Sequence, residues 1–323
     1  MRTLSHLSPS SLALWEKDKE TFYLQQLADT KIERPKKEAY SVVGSAFDAY
    51  VKAALIEALG GEDTFEKLFE SQVDQQWWDF GLKAGKYLFD CYKISGAYDA
   101  LLVELRTSPS EPRFEFRVSR TIDDVTILGI PDCRYQTPEK MDVTLDWKVN
   151  GFCSNYGASP FKYFSSVHDG WGESTAPRSK THGKAHGEYQ AIQLGGIEIG
   201  AHYLEQTNKD WADQLAIYGW LLGSAVGDEN TIVRIDQLVC KPRPNEYPLI
   251  RVARHGCRVS AAWQTQLWSR LHTCWEAIQT GTAYTGAQRE MLELQASARA
   301  GADTDVEKWI FEASQKPFME RAR

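Results

Sequence analysis

The sequence predicts an α/β fold, a β-sheet flanked by helices. Three observations point there. Residues 8–29 and 42–59 carry helix signals ahead of any strand. Short runs with strand-like alternation follow at 114–118, 125–132 and 142–149, and again at 231–240 and 249–259. An amphipathic stretch, 260–280, comes after them. A period near 3.6 marks helices and a period of 2 marks half-buried strands, so the interleaving of both defines the class.

Taken in chain order, Ser8-Pro9-Ser10 supplies capping hydroxyls and an early proline for the first helix. Gly60-Gly61 ends the second. Residues 63–94 read as a further helix whose Trp77, Trp78, Phe80, Leu88 and Phe89 are core contacts rather than a base-stacking platform. Phe114-Glu-Phe-Arg-Val118 alternates as a strand and is expected to lead into a hairpin partner at Val125–Asp132, which also reads as the neighbour of the strand at 142–149 and where Pro131 limits pairing near the end. Glu115 is either an edge carboxylate facing water or a group approaching a metal. On the next strand, Asp142, Thr144, Asp146 and Lys148 share one face, and Val143, Leu145, Trp147 and Val149 share the other. Thr231–Cys240 and Leu249–Val259 read as paired strands. Ser260–Thr280 reads as a helix with Trp263, Leu267, Leu271 and Ile278 on one side.

The chemistry-bearing pattern is Gly129-Ile-Pro-Asp132 followed by Thr144-Leu-Asp146-Trp-Lys148. Asp is depleted in strands, so a strand that places two on one face needs a reason. Two carboxylates can hold a hard cation through oxygen. Such a cation polarises a phosphate and generates hydroxide near neutral pH, and a lysine adds a compact positive charge beside it. An antiparallel strand with a solvated polar face has the same letters, and the tripeptide alone is a weak signal.

The flanking elements add specificity. Leu7-Ser-Pro-Ser-Ser-Leu-Ala-Leu-Trp-Glu16 opens one helix, Gly44-Ser-Ala-Phe-Asp48 opens another, and Gln214-Leu-Ala-Ile-Tyr218 lies on a later one. With Pro131-Asp132 and Asp146-Trp-Lys148 between them, the chain from about residue 5 to 225 resembles the PD-(D/E)XK nuclease superfamily. The RecB-like and Cas4-like exonucleases, including phage-type enzymes, are the branch it is most similar to. The resemblance implies a restriction-endonuclease-like core: a central mixed β-sheet flanked by α-helices, here with a long insertion before the Q-x-x-x-Y helix. It implies a domain at 1–280 with the insertion at 150–209, and a C-terminal helical tail at 281–323. Asp132 and Asp146 match the metal-binding carboxylates, and Lys148 matches the catalytic lysine. Gln214 and Tyr218 match the helix motif that supports the active site and DNA. Ser10 falls in the first helical motif. Asp48 stands where RecB-like relatives have His, a departure. An Asp suits Mg²⁺ or Mn²⁺, so Asp48 is a third metal candidate.

The expected cofactor is one or two Mg²⁺ or Mn²⁺ ions. Six scattered cysteines without a C-x-x-C pair argue against zinc or an iron–sulfur cluster, and no P-loop motif calls for a nucleotide. No stretch approaches the ~18–20 apolar residues of a membrane span, and the start lacks a signal-length apolar core, so a cytoplasmic location is expected. The expected function is a metal-dependent deoxyribonuclease, foremost an exonuclease acting on double-stranded ends or single strands in recombination, replication or repair. A structure-selective or restriction-type endonuclease and a catalytically inactive DNA-binding protein are the alternatives. The resemblance leaves room for a single-strand annealing or binding protein as partner, and for a homo-oligomer.

A net charge of −7 sits awkwardly with DNA. Local clusters offset it: Arg178, Lys180 and Lys184 with His182 and His186, and then Lys241, Arg243, Arg251, Arg254 and Arg258. The first cluster lies in the 150–209 insertion, which is rich in Gly, Ser and aromatics and ends in an expected small hairpin around Gly195-Gly196. Long irregular segments in a compact domain are usually functional or disordered. A DNA-engaging flap is expected, with basic groups for phosphates and rings for unpaired bases. Deleting residues 172–188 should weaken DNA retention in a gel-shift titration while leaving the melting temperature in place; unchanged affinity rejects the flap.

Overall fold

The computed structural model describes residues 2–30, 32, 38–153, 191–194, 199–243 and 246–301. The helices are α1 (Pro9–Lys17), α2 (Lys19–Phe22) with a π-helical turn (Tyr23–Leu27), α3 (Ala39–Ala58), α4 (Phe65–Gln72), α5 (Trp78–Ile94), α6 (Ala97–Thr107), α7 (Leu204–Thr207), α8 (Lys209–Leu222), α9 (Ala261–Gln279) and α10 (Gly286–Gly301). The strands are β1 (Arg113–Phe114), β2 (Val118–Ile122), β3 (Val125–Gly129), β4 (Cys133–Gln136), β5 (Asp142–Asn150), β6 (Ala191–Leu194), β7 (Ile199–Tyr203), β8 (Thr231–Arg243) and β9 (Glu246–Arg258). The class is α/β with a mixed central sheet flanked by helices, as the letters predict. None of the described helices is long and apolar enough to cross a membrane.

Two compact units form: Met1–Lys36 with Arg120–Leu128 and Trp268–Arg323, and Lys37–Ser119 with Gly129–Leu267. In the first, Ser8 caps α1 through a reciprocal box with Ser11. Leu7 bridges to Ile127, Trp15 packs edge-on against Phe22 and Tyr284, and Tyr23 Oη donates to Glu293 Oε1 at 2.8 Å.

The second unit holds the large sheet, in the order β1-β4-β5-β8-β9-β6, with β7 also on β9. The β1–β4, β4–β5 and β8–β9 pairs are antiparallel, whereas β5–β8, β6–β9 and β7–β9 are parallel. Parallel neighbours cannot be joined by a tight turn. The chain therefore crosses from β5 to β8 through α8, which packs on both strands. Side chains alternate across β5. Val143, Leu145 and Trp147 enter the core against Val43, Phe47, Val51 and Leu55 of α3 and Leu88 and Tyr92 of α5. Their four-residue spacing gives α3 one continuous apolar stripe. Thr144 and Asp146 are buried as well, because β5 is paired on both edges and covered on both faces.

The structure corrects several expectations. The partner of β5 is Cys133–Gln136, not 125–132; β3 pairs with β2 in a separate two-stranded sheet. Pro131 and Asp132 lie between β3 and β4, where a residue lacking N–H ends one ladder before the next begins. Residues 63–94 break at Val73, and α6 was not anticipated. The segments either side of Gly195-Gly196 do not form a hairpin, since β6 and β7 each pair with β9. The two glycines themselves, the rest of the insertion from 154 to 190 and residues 302–323 lie outside the described residues.

The apolar face also carries charge. Arg234 contacts Glu104, Tyr135 and Asp236, and Arg254 contacts Glu104 at 3.0 Å and Asp236 at 3.6 Å. Tyr92 Oη donates to Asp236. Two guanidiniums face two carboxylates, so this buried set is neutral. Arg254 and Arg251, expected on a basic surface, are 1% and 2% exposed, and Arg258 donates to the Glu229 carbonyl at 2.9 Å. Arg251 and Arg254 of the second basic cluster are thus spent inside the fold.

Close approach of α3 and α5 depends on Gly85, where a Cβ would sit 2.8 Å from the backbone carbon and the Cβ of Ala46. Backbone cannot yield as a side-chain tip can. Gly85→Ala should cost about 1–3 kcal/mol, read from urea unfolding; a change within error would show that the two helices separate freely.

Candidate functional site

The site lies in the second unit, where the start of β4 meets the middle of β5. Three elements deliver carboxylates there. Asp48 comes from α3, flanking the apolar stripe; Glu115 comes just after β1; Asp132 comes just before β4. Ligand atoms of all three lie within 4.8 Å of one another. Glu115 is held in the left-handed region at φ 45°, and its backbone N–H donates to the Asp132 carbonyl at 3.1 Å. A non-glycine residue with positive φ is uncommon and clusters at functional sites. The Asp132 side chain is oriented from the other side, since the Trp147 N–H donates to Asp132 Oδ2 at 3.3 Å.

Lys52 sits within this triad. It lies one helical turn after Asp48 and is fully buried. Its ammonium is 2.6 Å from Asp48 Oδ2 and 2.9 Å from Asp132 Oδ1, and it also contacts Glu115 Oε2.

Beside Asp132, on the face of β5 turned away from Leu145 and Trp147, Asp146 and Lys148 meet α8. Lys148 Nζ is 2.5 Å from Asp146 Oδ2 and donates to Gln214 Oε1 at 3.0 Å. Gln214 Nε2 donates to Asp146 Oδ1 at 3.0 Å and reaches Tyr218 Oη at 3.3 Å. The i, i+4 spacing puts Gln214 and Tyr218 on one helix face, and Asn208 caps that helix through the Trp211 N–H at 3.1 Å. Gly129 lets the ring of Tyr218 approach: a Cβ there would lie 2.7 Å from Tyr218 Cε1 and Leu221 Cδ1.

The electrostatics follow from burial. Asp48 is pushed up to about 8, first by desolvation and then by Asp132. Asp146 is pushed up to about 7 by burial, which the charge of Lys148 only partly offsets and neighbouring Asp132 reinforces. Burial also opposes ionisation of Asp132, but Lys52 and Lys148 outweigh it and hold the carboxyl below its ordinary range. Burial would lower Lys52, yet Asp132, Asp48 and Glu115 keep it charged well above the usual lysine range. Four carboxylates thus share two ammoniums, and two negative charges remain uncompensated when all are ionised. A divalent cation fits that deficit. Asp48 Oδ1 fits it as well, being buried with no hydrogen-bond donor among the described residues.

Of the residues expected from the letters, Asp48, Asp132, Asp146, Lys148, Gln214 and Tyr218 come together. Glu115, left open by the sequence, joins Asp48 and Asp132, whereas Asp146 is not one of that close triad. Ser10 belongs to the other unit and its hydroxyl lies 3.1 Å from Ser8 Oγ. Arg178, Lys180 and Lys184 lie outside the described residues. Lys52 was missed. Its signal was a lone lysine one turn from Asp48 within the otherwise apolar Ala49–Leu55 stretch.

No family model matches the chain, and no curated protein matches it. Among solved structures, the chain aligns over 81% of its length with 85% of the one described as "Crystal structure of SSO0001", at 10% identity and a TM-score of 0.25. A likeness at that level carries no argument about fold or function.

Metal binding must strip the protons held by Asp48 and Asp146. Both groups have raised values, so they are protonated below about 7 and ionise as pH rises through about 7–8. Mn²⁺ affinity should therefore fall as pH is lowered from 8.5 to 6, with proton release on binding, read by calorimetry in buffers of different ionisation enthalpy. A flat profile would exclude these two carboxyls from the binding set.

Proposed function

We propose that this chain is a divalent-metal-dependent DNA nuclease built on a restriction-endonuclease-like core, and that it acts as an exonuclease on DNA ends. The observation that carries the reading is the set of four neighbouring carboxylates, short of two positive charges when all are ionised, with Lys148 hydrogen-bonded beside it. A wholly structural cluster would be expected to balance, as the Arg234–Asp236–Arg254–Glu104 set does.

Asp132, Asp48 and Glu115 are the candidate ligands, with Asp146 adjoining. They suit Mg²⁺ or Mn²⁺, which take oxygen donors. When bound, such a cation polarises a phosphate and eases deprotonation of water. The chain's own groups do the rest. Lys148 presents an ammonium that stabilises charge developing on the phosphate or orients the attacking water. Gln214 accepts from Lys148 and donates to Asp146, so one amide fixes both orientations. Tyr218 accepts from that amide, its hydroxyl pushed up to about 12 by burial and so neutral. Any gathering of phosphates falls to groups other than Arg254, whose charge is consumed in the core.

The preference for DNA ends rests on the ordered likeness in motifs to RecB-like and phage-type exonucleases. End-labelled linear DNA and closed circular DNA, each with Mg²⁺, Mn²⁺ or chelator, test it. Loss of linear DNA alone, abolished by chelator, supports the exonuclease. Nicked circles would replace it with an endonuclease. Retarded but uncut DNA would leave a binding protein. Asp132→Asn and Lys148→Ala should each reduce cutting by about 100-fold or more with unchanged far-ultraviolet dichroism; full activity in either rejects the site.

A further inference from the structure

We propose that Lys52 is an internal counter-cation, whose ammonium holds the place of the divalent ion in the metal-free protein and must leave the Asp48–Glu115–Asp132 cage when that ion binds. This deepens the metal reading above and rests on it.

The geometry is that of a substitute cation. An ammonium carries three donors and no acceptor. Here three carboxylates from three separate elements receive it: Asp48 Oδ2 at 2.6 Å, Asp132 Oδ1 at 2.9 Å, and Glu115 Oε2. These are the three residues whose ligand atoms converge within 4.8 Å. The Lys52 side chain is 1% exposed, so it has not strayed in from the surface; α3 delivers it there on the same face as Asp48. An ion drawing on the same oxygens would lie next to Nζ, and two cations at such range repel strongly in a buried site. One of them has to go. Lysine suits a movable role because its charge sits on a flexible four-carbon stem. Asp48 Oδ1, buried and without a donor among the described residues, remains available to an incoming ion.

Two consequences follow. Without Lys52, three carboxylates would face one another with only Lys148 nearby, so the ammonium keeps the cage assembled before metal arrives. Metal uptake then becomes an exchange of cations, and the affinity is lower than the ligand set alone would give.

Lys52→Met, close in length and uncharged, separates the effects. Mn²⁺ titrations followed by electron paramagnetic resonance should show binding about tenfold tighter or more in the variant than in the native protein. Thermal unfolding should show the variant less stable without metal, with Mn²⁺ raising its Tm further than it raises the native one. Unchanged or weaker Mn²⁺ affinity in the variant overturns the role of Lys52 while leaving the metal site standing. Absence of Mn²⁺ binding by both proteins overturns the metal reading and this inference with it. If the variant does not fold, the native protein crystallised with Mn²⁺ decides. An anomalous peak among the three carboxylates with Nζ withdrawn from Asp132 Oδ1 supports the exchange, and a peak with Nζ still in place overturns it.

Discussion

Removing carboxylates from water is costly unless positive charge goes with them, and this chain does so at the meeting of β4 and β5 with too little. Asp48, Glu115, Asp132 and Asp146 arrive from four places in the sequence, and Lys52 and Lys148 are the cations interleaved among them. Everything around the cluster serves to hold it together. The apolar stripe of α3 fixes Asp48 and Lys52, and the start of β4 fixes Asp132. The centre of β5 fixes Asp146, and the crossover helix α8 closes over it with Gln214. Core packing here is the means by which mutual repulsion is contained.

The same sheet offers a control on the strand next to β5. Leu145 is in register with Arg234 and Trp147 with Asp236, so the Arg234–Asp236–Arg254–Glu104 set lies on the core face of the β-strands whose other face carries Asp146 and Lys148. Both sets are hydrogen-bonded, and each has a fully buried cation, Arg234 in one and Lys52 in the other. One sums to zero and pins α6 to β8 and β9; the other retains a deficit. Burial of charge is common to the two sets; the balance of charge is what differs between them.

How much of this was legible depended on the range of the signal. Asp146 and Lys148 stood out because alternation along β5 is a local property of the chain, and Asp132 because it follows Pro131 at the end of a strand-like run. Gln214 and Tyr218 stood out because their spacing is one helical turn. The partner of β5 was misassigned because Val125–Gly129 has the better strand letters, whereas Cys133–Gln136 is short and follows a proline. Pairing is decided by register across the sheet rather than by local propensity. Lys52 escaped since nothing in a helix pattern says that a lysine will turn inward; only Glu115 and Asp132, distant in sequence, give it a reason. Arg254 was read as surface for the converse reason, its counter-ions lying on α6 and on the neighbouring strand.

The left-handed backbone at Glu115 sets stability against chemistry at a single position. Glycine or asparagine would relax that φ of 45° and ease the turn between β1 and β2. Either replacement, though, would take a carboxylate out of the cage around Lys52. Selection for a sturdier chain and selection for a charged pocket therefore pull this codon in opposite directions. A chain with no need of charge in this cage would be expected to drift here early, toward the smaller residue.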